Sequence, residues 1–196
     1  ETITLTLEYA GVSLPLHFEA GSAVLLSSYD EQVLHGCWQS LTQEKSRCTL
    51  QIGGKTLPLR GLADLRKHRI AVWDGTAEPP ALQENILLPS MQRISQCGFF
   101  EMAAKKVFSD REFWQDRLPI KTEPDSVKTA RVLADRWLFF HPRVLFVYNV
   151  FSSSDYTVRR ILQQFVQDLC ARGTTVVLLE TADHSCRSFV NAEISL

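Results

Sequence analysis

The sequence has no excess of charge of either sign and no apolar run long enough to cross a bilayer. Its formal net charge is -1, so it lacks the basic surface that nucleic acid attracts, and we expect no nucleic-acid partner. Its apolar runs fall short of the roughly 18 residues that a membrane helix needs. We therefore expect no direct membrane span.

Closely spaced cysteine pairs are also absent. The five cysteines are odd in number and contain no C-x-x-C pair: Cys37, Cys48, Cys97, Cys170 and Cys186. This pattern favours reduced thiols in a cytosolic setting over a disulfide framework or a zinc site. The chain starts at Glu1 rather than at a methionine, and we expect it to be part of a longer polypeptide.

What is present is an ordinary globular composition, with 45% hydrophobic and 22% charged residues in 196. The first sixty residues alternate in the manner of β-strands, with turns at Gly11 and at Gly53-Gly54. The apolar run Ala23 to Leu26 is typical of a buried strand, and a helix is predicted from about Asp30 to Leu41. Another short buried strand is predicted in "RIAVW".

The middle of the chain changes character. Residues 81–117 are rich in aromatic residues at helical spacing, and a further helix is predicted from about Ser126 to Phe140, before Pro142. We interpret residues 1–196 as a single domain. Its α/β body comprises residues 1–80 and 141–196, and residues 81–140 form an inserted helical subdomain.

The last third predicts a strand, a helix and a second strand. The strands cover Val144–Val150 and Thr174–Leu179, and the helix runs from about Asp155 to Arg172 with one apolar face. Asp155 suits the start of this helix, and Gly173 lies where a left-handed residue ends one. Such a βαβ unit predicts parallel strands.

The order of these elements resembles an ATP-binding-cassette (ABC) nucleotide-binding domain. The similarity is to the second cassette of the ribose- and galactose-type sugar importer ATPases. It is carried by "LHFEAGSAVLLSS", "TLQIGGKTLPLRGLADLRKHRIAVWD", "PPALQENILLPS" and "ARVLADRWLFFHPRVLFVYNVFSSSD". No short motif among them is diagnostic, and the resemblance rests on collinearity over nearly the whole chain.

The resemblance implies a P-loop-NTPase-like α/β fold. We expect a mixed sheet with a parallel core, an N-terminal antiparallel β part and the inserted helical subdomain. The family binds ATP and Mg²⁺ and couples ATP hydrolysis to transport. Its cassettes act with a partner cassette or with the membrane subunit of a transporter. A cytoplasmic location, peripheral at the inner face of the cell membrane, is therefore expected.

The segment at the family's phosphate loop departs from the family pattern. A phosphate loop needs glycines, whose backbone N–H groups surround the phosphates, and a lysine that neutralises them. This chain has "SSYDEQV", in which Ser27, Ser28, Tyr29 and Asp30 match the loop and Glu31 adds a second acid. Two carboxylates beside a triphosphate repel it, so we expect this loop not to bind nucleotide.

The other motif positions depart as well. Tyr148 and Asn149 stand where the Walker B strand ends in two acids that handle Mg²⁺ and the attacking water. Asp125, Ser126 and Val127 match the signature loop but lack its glycines. The switch-histidine region matches "LLETADHS", with Glu180 or Thr181 at the histidine position and His184 a few residues late. Only Asp155 retains the family residue, as the D-loop aspartate.

These departures predict a cassette that does not hydrolyse ATP, a pseudo-ATPase with no cofactor and no metal. It would have a structural or regulatory role in a sugar-type transport system. Asp155 is equally explained as a helix N-cap, and Ser152–Ser154 as a solvated loop or as an anion cradle. The alternative function is a small-ligand-binding or enzymatic α/β domain, with its site near Ser27, Asn149 and Ser152.

Overall fold

The computed structural model describes residues 1–60, 68–74, 141–181 and 186–196, together with four helical residues, Val127, Ala130, Ala134 and Leu138. The elements described throughout are β1 (Thr2–Tyr9), β2 (Val12–Glu19), β3 (Ala23–Ser28), α1 (Glu31–Thr42), β4 (Thr49–Ile52), β5 (Lys55–Pro58), β6 (Ile70–Trp73), β7 (Val144–Tyr148), α2 (Tyr156–Ala171), β8 (Thr175–Thr181) and β9 (Ala192–Ser195).

The chain forms two compact units. The first comprises Glu1–Ala77, Pro142–Ser154 and Val166–Leu196, and it holds both sheets and α1. The second comprises Glu78–His141 and Asp155–Phe165. Most of the predicted helical subdomain, residues 81–140, lies outside the described residues, so that assignment stays a prediction.

The N-terminal strands form an antiparallel sheet in the order β2-β1-β4-β5. In β1, buried Ile3, Leu5 and Leu7 alternate with threonines, as expected for a strand with one buried face. Two-residue turns join β1 to β2 and β4 to β5. Both residues of each turn have positive φ, including 57° at Gly53 and 74° at Gly54, the conformation of a type I′ hairpin turn.

The other five strands form a parallel sheet in the order β6-β7-β8-β3-β9. Its central strands are buried almost throughout, which explains their continuous apolar runs. Ser28 pairs with Thr181, and Tyr148 pairs with Leu179. The carboxyl ends of β3, β8 and β7 therefore meet at one edge of the sheet.

Helix α1 packs against β1 of the antiparallel sheet and against β3 and β8 of the parallel sheet. Its buried residues, Leu34, Cys37, Trp38 and Leu41, share one hydrophobic core with side chains from both sheets. The approach to β1 is close at Gly36, where an added Cβ would lie 2.1 Å from Cε2 of Tyr9. The two sheets are thus held together through one face of α1.

The predicted elements of the described residues are confirmed, with shifts at their ends. The predicted parallel core and N-terminal antiparallel part are both present, and the antiparallel strands form a sheet of their own. Strand β7 ends at Tyr148 rather than at Val150, because Asn149 has a φ of 51° and leaves the extended conformation. Strand β9 was not predicted.

Helix α2 is capped at both ends as the sequence predicts. The Oδ1 atom of Asp155 accepts the Val158 N–H at 2.9 Å. At the other end Gly173 has a φ of 87° and donates its N–H to Cys170 O, while the Thr174 N–H reaches Leu169 O. These two bonds form a Schellman motif, which ends the helix and satisfies its last carbonyl groups.

Candidate functional site

Only two residues, Tyr29 and Asp30, connect β3 to α1. Ser27 and Ser28 belong to the strand and are buried, whereas Tyr29 is 87% exposed. Asp30 is the N-cap of α1, and its Oδ1 atom accepts the Gln32 N–H at 2.8 Å. The Ser28 hydroxyl oxygen accepts the Asp30 N–H at 3.2 Å. Side chains of the chain itself therefore accept two of the backbone N–H groups at this turn, those of Asp30 and Gln32.

Ser27 is engaged with the far end of the chain. Its hydroxyl donates to Oε1 of Glu193 on β9 at 2.9 Å. Glu193 also forms an ion pair with Arg187, whose Nε lies 2.7 Å from Oε2. The hydrogen bond to Glu193 raises the pKa of Arg187, and Tyr29 adds a smaller effect in the same direction. The strand-end serine therefore lies beside a paired carboxylate.

Tyr148 packs on α1. Its ring stacks on Trp38, with centroids 5.2 Å apart and planes at 12°, and its Oη lies 3.3 Å from Nδ1 of His35. Burial raises the pKa of the Tyr148 hydroxyl, and the charges of Glu31 and Glu180 raise it further. An un-ionised phenol in this position offers no carboxylate for a divalent cation.

Asn149 follows directly and is exposed. Its backbone N–H still donates to Leu179 O at 3.0 Å, although its φ of 51° ends the strand. Asparagine adopts this left-handed conformation more readily than most residues do. Asn149 therefore has a clear local role in turning the chain out of β7.

The carboxylate of Glu180 holds the loop that follows β7. It is 1% exposed and accepts four hydrogen bonds. The backbone N–H groups of Val150 and Phe151 reach Oε1 at 2.8 and 2.9 Å, and the N–H and hydroxyl of Ser152 reach Oε2 at 3.1 and 2.5 Å. Burial raises the pKa of Glu180, and these hydrogen bonds act in the opposite direction.

The sequence does not predict this role of Glu180, because the resemblance assigns its position only to a switch histidine. One signal was present in the sequence, since an acid at the end of a fully apolar strand must find donors if it is buried. The sequence does not predict which donors contact Glu180, because these donors lie 28 to 30 positions away along the chain.

The three serines of the loop stabilise it from within. The Ser152 hydroxyl also lies 3.1 Å from Oγ1 of Thr181. Ser153 donates to Asn149 O at 2.7 Å, and Ser154 donates to Val150 O at 2.6 Å. Their hydroxyl groups thus hydrogen-bond to the chain itself, which favours a loop without a bound anion over an anion cradle.

Some of the remaining predicted site residues lie within the described residues and others do not. Asp155 is exposed and caps α2, which fits the simpler of its two interpretations. Val127 is helical and buried, whereas Asp125, Ser126 and His184 lie outside the described residues. Within the described ranges, no group of histidine, cysteine, aspartate and glutamate side chains has the arrangement of a metal site. No described helix is long and apolar enough to span a membrane.

Comparison with known proteins identifies similar folds. No family model matches the chain. A curated relative, the "Ribose import ATP-binding protein RbsA 3" of Rhizobium etli, is 24% identical over 115 residues, which are 55% of this chain and 22% of that protein. The matched region thus spans about a fifth of the relative's length.

Solved structures match over almost the whole chain. A nucleotide-free ATP-binding cassette from an ABC transporter has a TM-score of 0.73 at 14% identity, covering 100% of this chain and 88% of the other. The structure of cbiO1 from Clostridium perfringens, part of the ABC transporter complex cbiONQ, has a TM-score of 0.69 at 10% identity, covering 100% and 85%. The chain therefore has the fold of the ATP-binding cassettes of ABC transporters.

Proposed function

We propose that this chain is a cassette domain that does not hydrolyse ATP and that supports an ABC transport system as a structural or regulatory component. The observation that carries the proposal is the two-residue connection between β3 and α1. A phosphate loop surrounds its ligand with several successive backbone N–H groups and a lysine. Tyr29 and Asp30 are too few to form such a loop, and neither is a glycine or a lysine.

Charge at this connection supports the same conclusion. The Asp30 carboxylate caps the first turn of α1, and Glu31 adds a second acid there. A helix N-terminus attracts an anion because its first N–H groups lack partners within the helix. Here an internal carboxylate already fills that role, and two negative charges face any incoming phosphate.

The residues at the end of β7 also support the absence of ATP hydrolysis. Tyr148 is stacked on Trp38, and Asn149 turns the chain, so neither position offers an acid. An amide can orient water but cannot accept a proton from it, and a neutral phenol is a poor ligand for Mg²⁺. Neither Tyr148 nor Asn149 can therefore perform the Mg²⁺ and general-base functions that the resemblance assigns to these two positions.

The role that remains is association with other components. The likeness to a ribose import ATP-binding protein makes a sugar-type transport system the setting that we propose. The partners would be a second cassette, the membrane subunit of the transporter, or both. We propose a cytoplasmic location for the domain, peripheral to the inner face of the membrane.

Isothermal titration calorimetry with ATP, with and without Mg²⁺, tests the proposal. We expect binding to be undetectable, or weak and independent of Mg²⁺. The Arg187→Ala variant is the matched control, since the exposed Arg187 guanidinium near the end of β3 can attract phosphate without a nucleotide site. Micromolar affinity that requires Mg²⁺ would contradict the proposal.

The alternative, a small-ligand or enzymatic site near Ser27, Asn149 and Ser152, has less support. Ser27 donates to Glu193, and Ser152 donates to Glu180. A ligand at this edge would have to replace these charge-assisted hydrogen bonds, which are stronger than bonds between neutral groups.

A further inference from the structure

The segment Asn149–Ser152 is organised around the Glu180 side chain. Three consecutive backbone N–H groups, those of Val150, Phe151 and Ser152, converge on this one carboxylate, together with the Ser152 hydroxyl. Successive N–H groups that point to one centre form the kind of concavity that binds anions in proteins. In this molecule a carboxyl group of the chain itself occupies that position.

Because Glu180 is buried, its carboxyl group depends on hydrogen bonds within the protein. Glu180 is 1% exposed, and a carboxyl group in such surroundings needs several hydrogen-bond partners. Each of its oxygens receives two of them, at 2.5 to 3.1 Å. Removing the carboxylate would leave three backbone N–H groups of the loop without their present acceptor, a larger disturbance than the loss of a single surface contact.

We propose that the carboxyl group of Glu180 is a built-in hydrogen-bond acceptor that fixes Asn149–Ser152 in one conformation without any bound ligand. The significance of this device rests on the proposed function, since a cassette without nucleotide needs another means of ordering the end of β7. Other groups close to the carboxylate are the hydroxyl of Thr181, which bonds to Ser152, and the Tyr148 phenol, whose pKa Glu180 raises.

Amide hydrogen exchange, measured by NMR on the 196-residue chain, tests the proposal. In Glu180→Gln the side-chain amide retains one acceptor oxygen, but it brings an NH₂ group against the N–H donors at the other oxygen position, those of Val150 and Phe151 or that of Ser152. We expect exchange at Val150, Phe151 or Ser152 to accelerate by about tenfold or more, the factor that corresponds to losing one hydrogen bond to a charged group. Amides in the middle of β1 report on global stability and should change less.

Chemical rescue provides the second measurement. Glu180→Ala leaves the N–H groups without a carboxylate and makes space for a small one. Formate should therefore raise the melting temperature of this variant, and the exchange of the three amides should slow again. The matched control is Glu193→Ala, which removes a hydrogen-bonded carboxylate from the same unit without exposing this group of N–H donors.

Unchanged exchange at all three amides in Glu180→Gln would overturn the proposal. So would formate stabilising Glu180→Ala no more than Glu193→Ala or the unmodified chain. If Glu180→Ala does not fold, the exchange result for Glu180→Gln decides by itself. None of these measurements involves ATP, so a failure here is distinguishable from a failure of the proposed function, which calorimetry with nucleotide decides.

Discussion

Placing the two acids of an active cassette at the end of β7 should destabilise this protein without making it an ATPase. In the variant Tyr148→Asp/Asn149→Glu, the stack of Tyr148 on Trp38 is lost, and a stacked aromatic pair contributes about 0.5–1.5 kcal/mol beyond its buried area. The Tyr148 Oη contact with His35 goes as well, a further loss of about 1 kcal/mol.

The second substitution adds to the loss. Asn149 has a φ of 51°, and a glutamate held in this left-handed conformation costs about 1 kcal/mol or more. The new carboxylates also lie near Glu31 and Glu180, whose charges already raise the Tyr148 pKa. We therefore expect the free energy of unfolding to fall by about 3–4 kcal/mol, a large fraction of the roughly 5–15 kcal/mol typical of a domain.

Urea unfolding followed by circular dichroism measures the stability, and phosphate release above a matched blank measures the activity. Tyr148→Phe is the control, because it keeps the ring on Trp38 and should lose only about 1 kcal/mol. An equally stable double variant would refute the packing argument. Measurable hydrolysis by that variant would refute the view that the β3–α1 connection is the larger defect.

The connection itself can be replaced. A glycine- and lysine-bearing loop in place of Ser27–Gln32 would supply backbone N–H groups and a positive charge, and it would remove Asp30 and Glu31. We expect such a graft, combined with the two acids and a competent partner cassette, to be the smallest change with a physical basis for restoring activity.

Two further predictions concern packing and pH. Gly36→Ala should lower the melting temperature, because the new Cβ would lie 2.1 Å from the Tyr9 ring. This clash outweighs the gain of up to about 1 kcal/mol in helix propensity. A higher melting temperature would contradict the close approach of α1 to β1. Because burial raises the pKa of Glu180, its contribution is fully present below its unfolded-state pKa and is lost as the pH rises through its folded-state pKa. The unfolding free energy of the unmodified chain relative to Glu180→Gln should therefore decline between acidic and neutral pH, and a rise would show that the hydrogen bonds outweigh burial.

The ends of β3 and β7 contribute unequally to the proposed lack of ATP hydrolysis. At the end of β3 the chain lacks both the length and the charge for a phosphate site, and side-chain substitution alone does not supply them. At the end of β7 the backbone is ordered by Glu180, and the missing feature is only the pair of acids. A cassette with both departures can still present its surface to other components, which is the role that we propose.

The sequence alone determined most of the secondary structure in the described residues. Alternation in β1 and β2, the apolar runs of β3, β7 and β8, and the helical spacing of α1 are local patterns that burial imposes on neighbouring residues. The caps at Asp155 and Gly173 were predictable for the same reason, since their hydrogen bonds reach only a few residues along the chain.

Only the tertiary structure decided how the ends of the parallel strands are arranged. Tyr148 lies against His35, 113 positions away, and Ser27 bonds to Glu193, 166 positions away. Glu180 binds a loop on a neighbouring strand. The identities of these residues predict departures from the cassette motifs, but they do not reveal which contacts these residues make instead. Which side chains meet depends on strand order and register, and these follow from the packing of the whole core rather than from any local pattern.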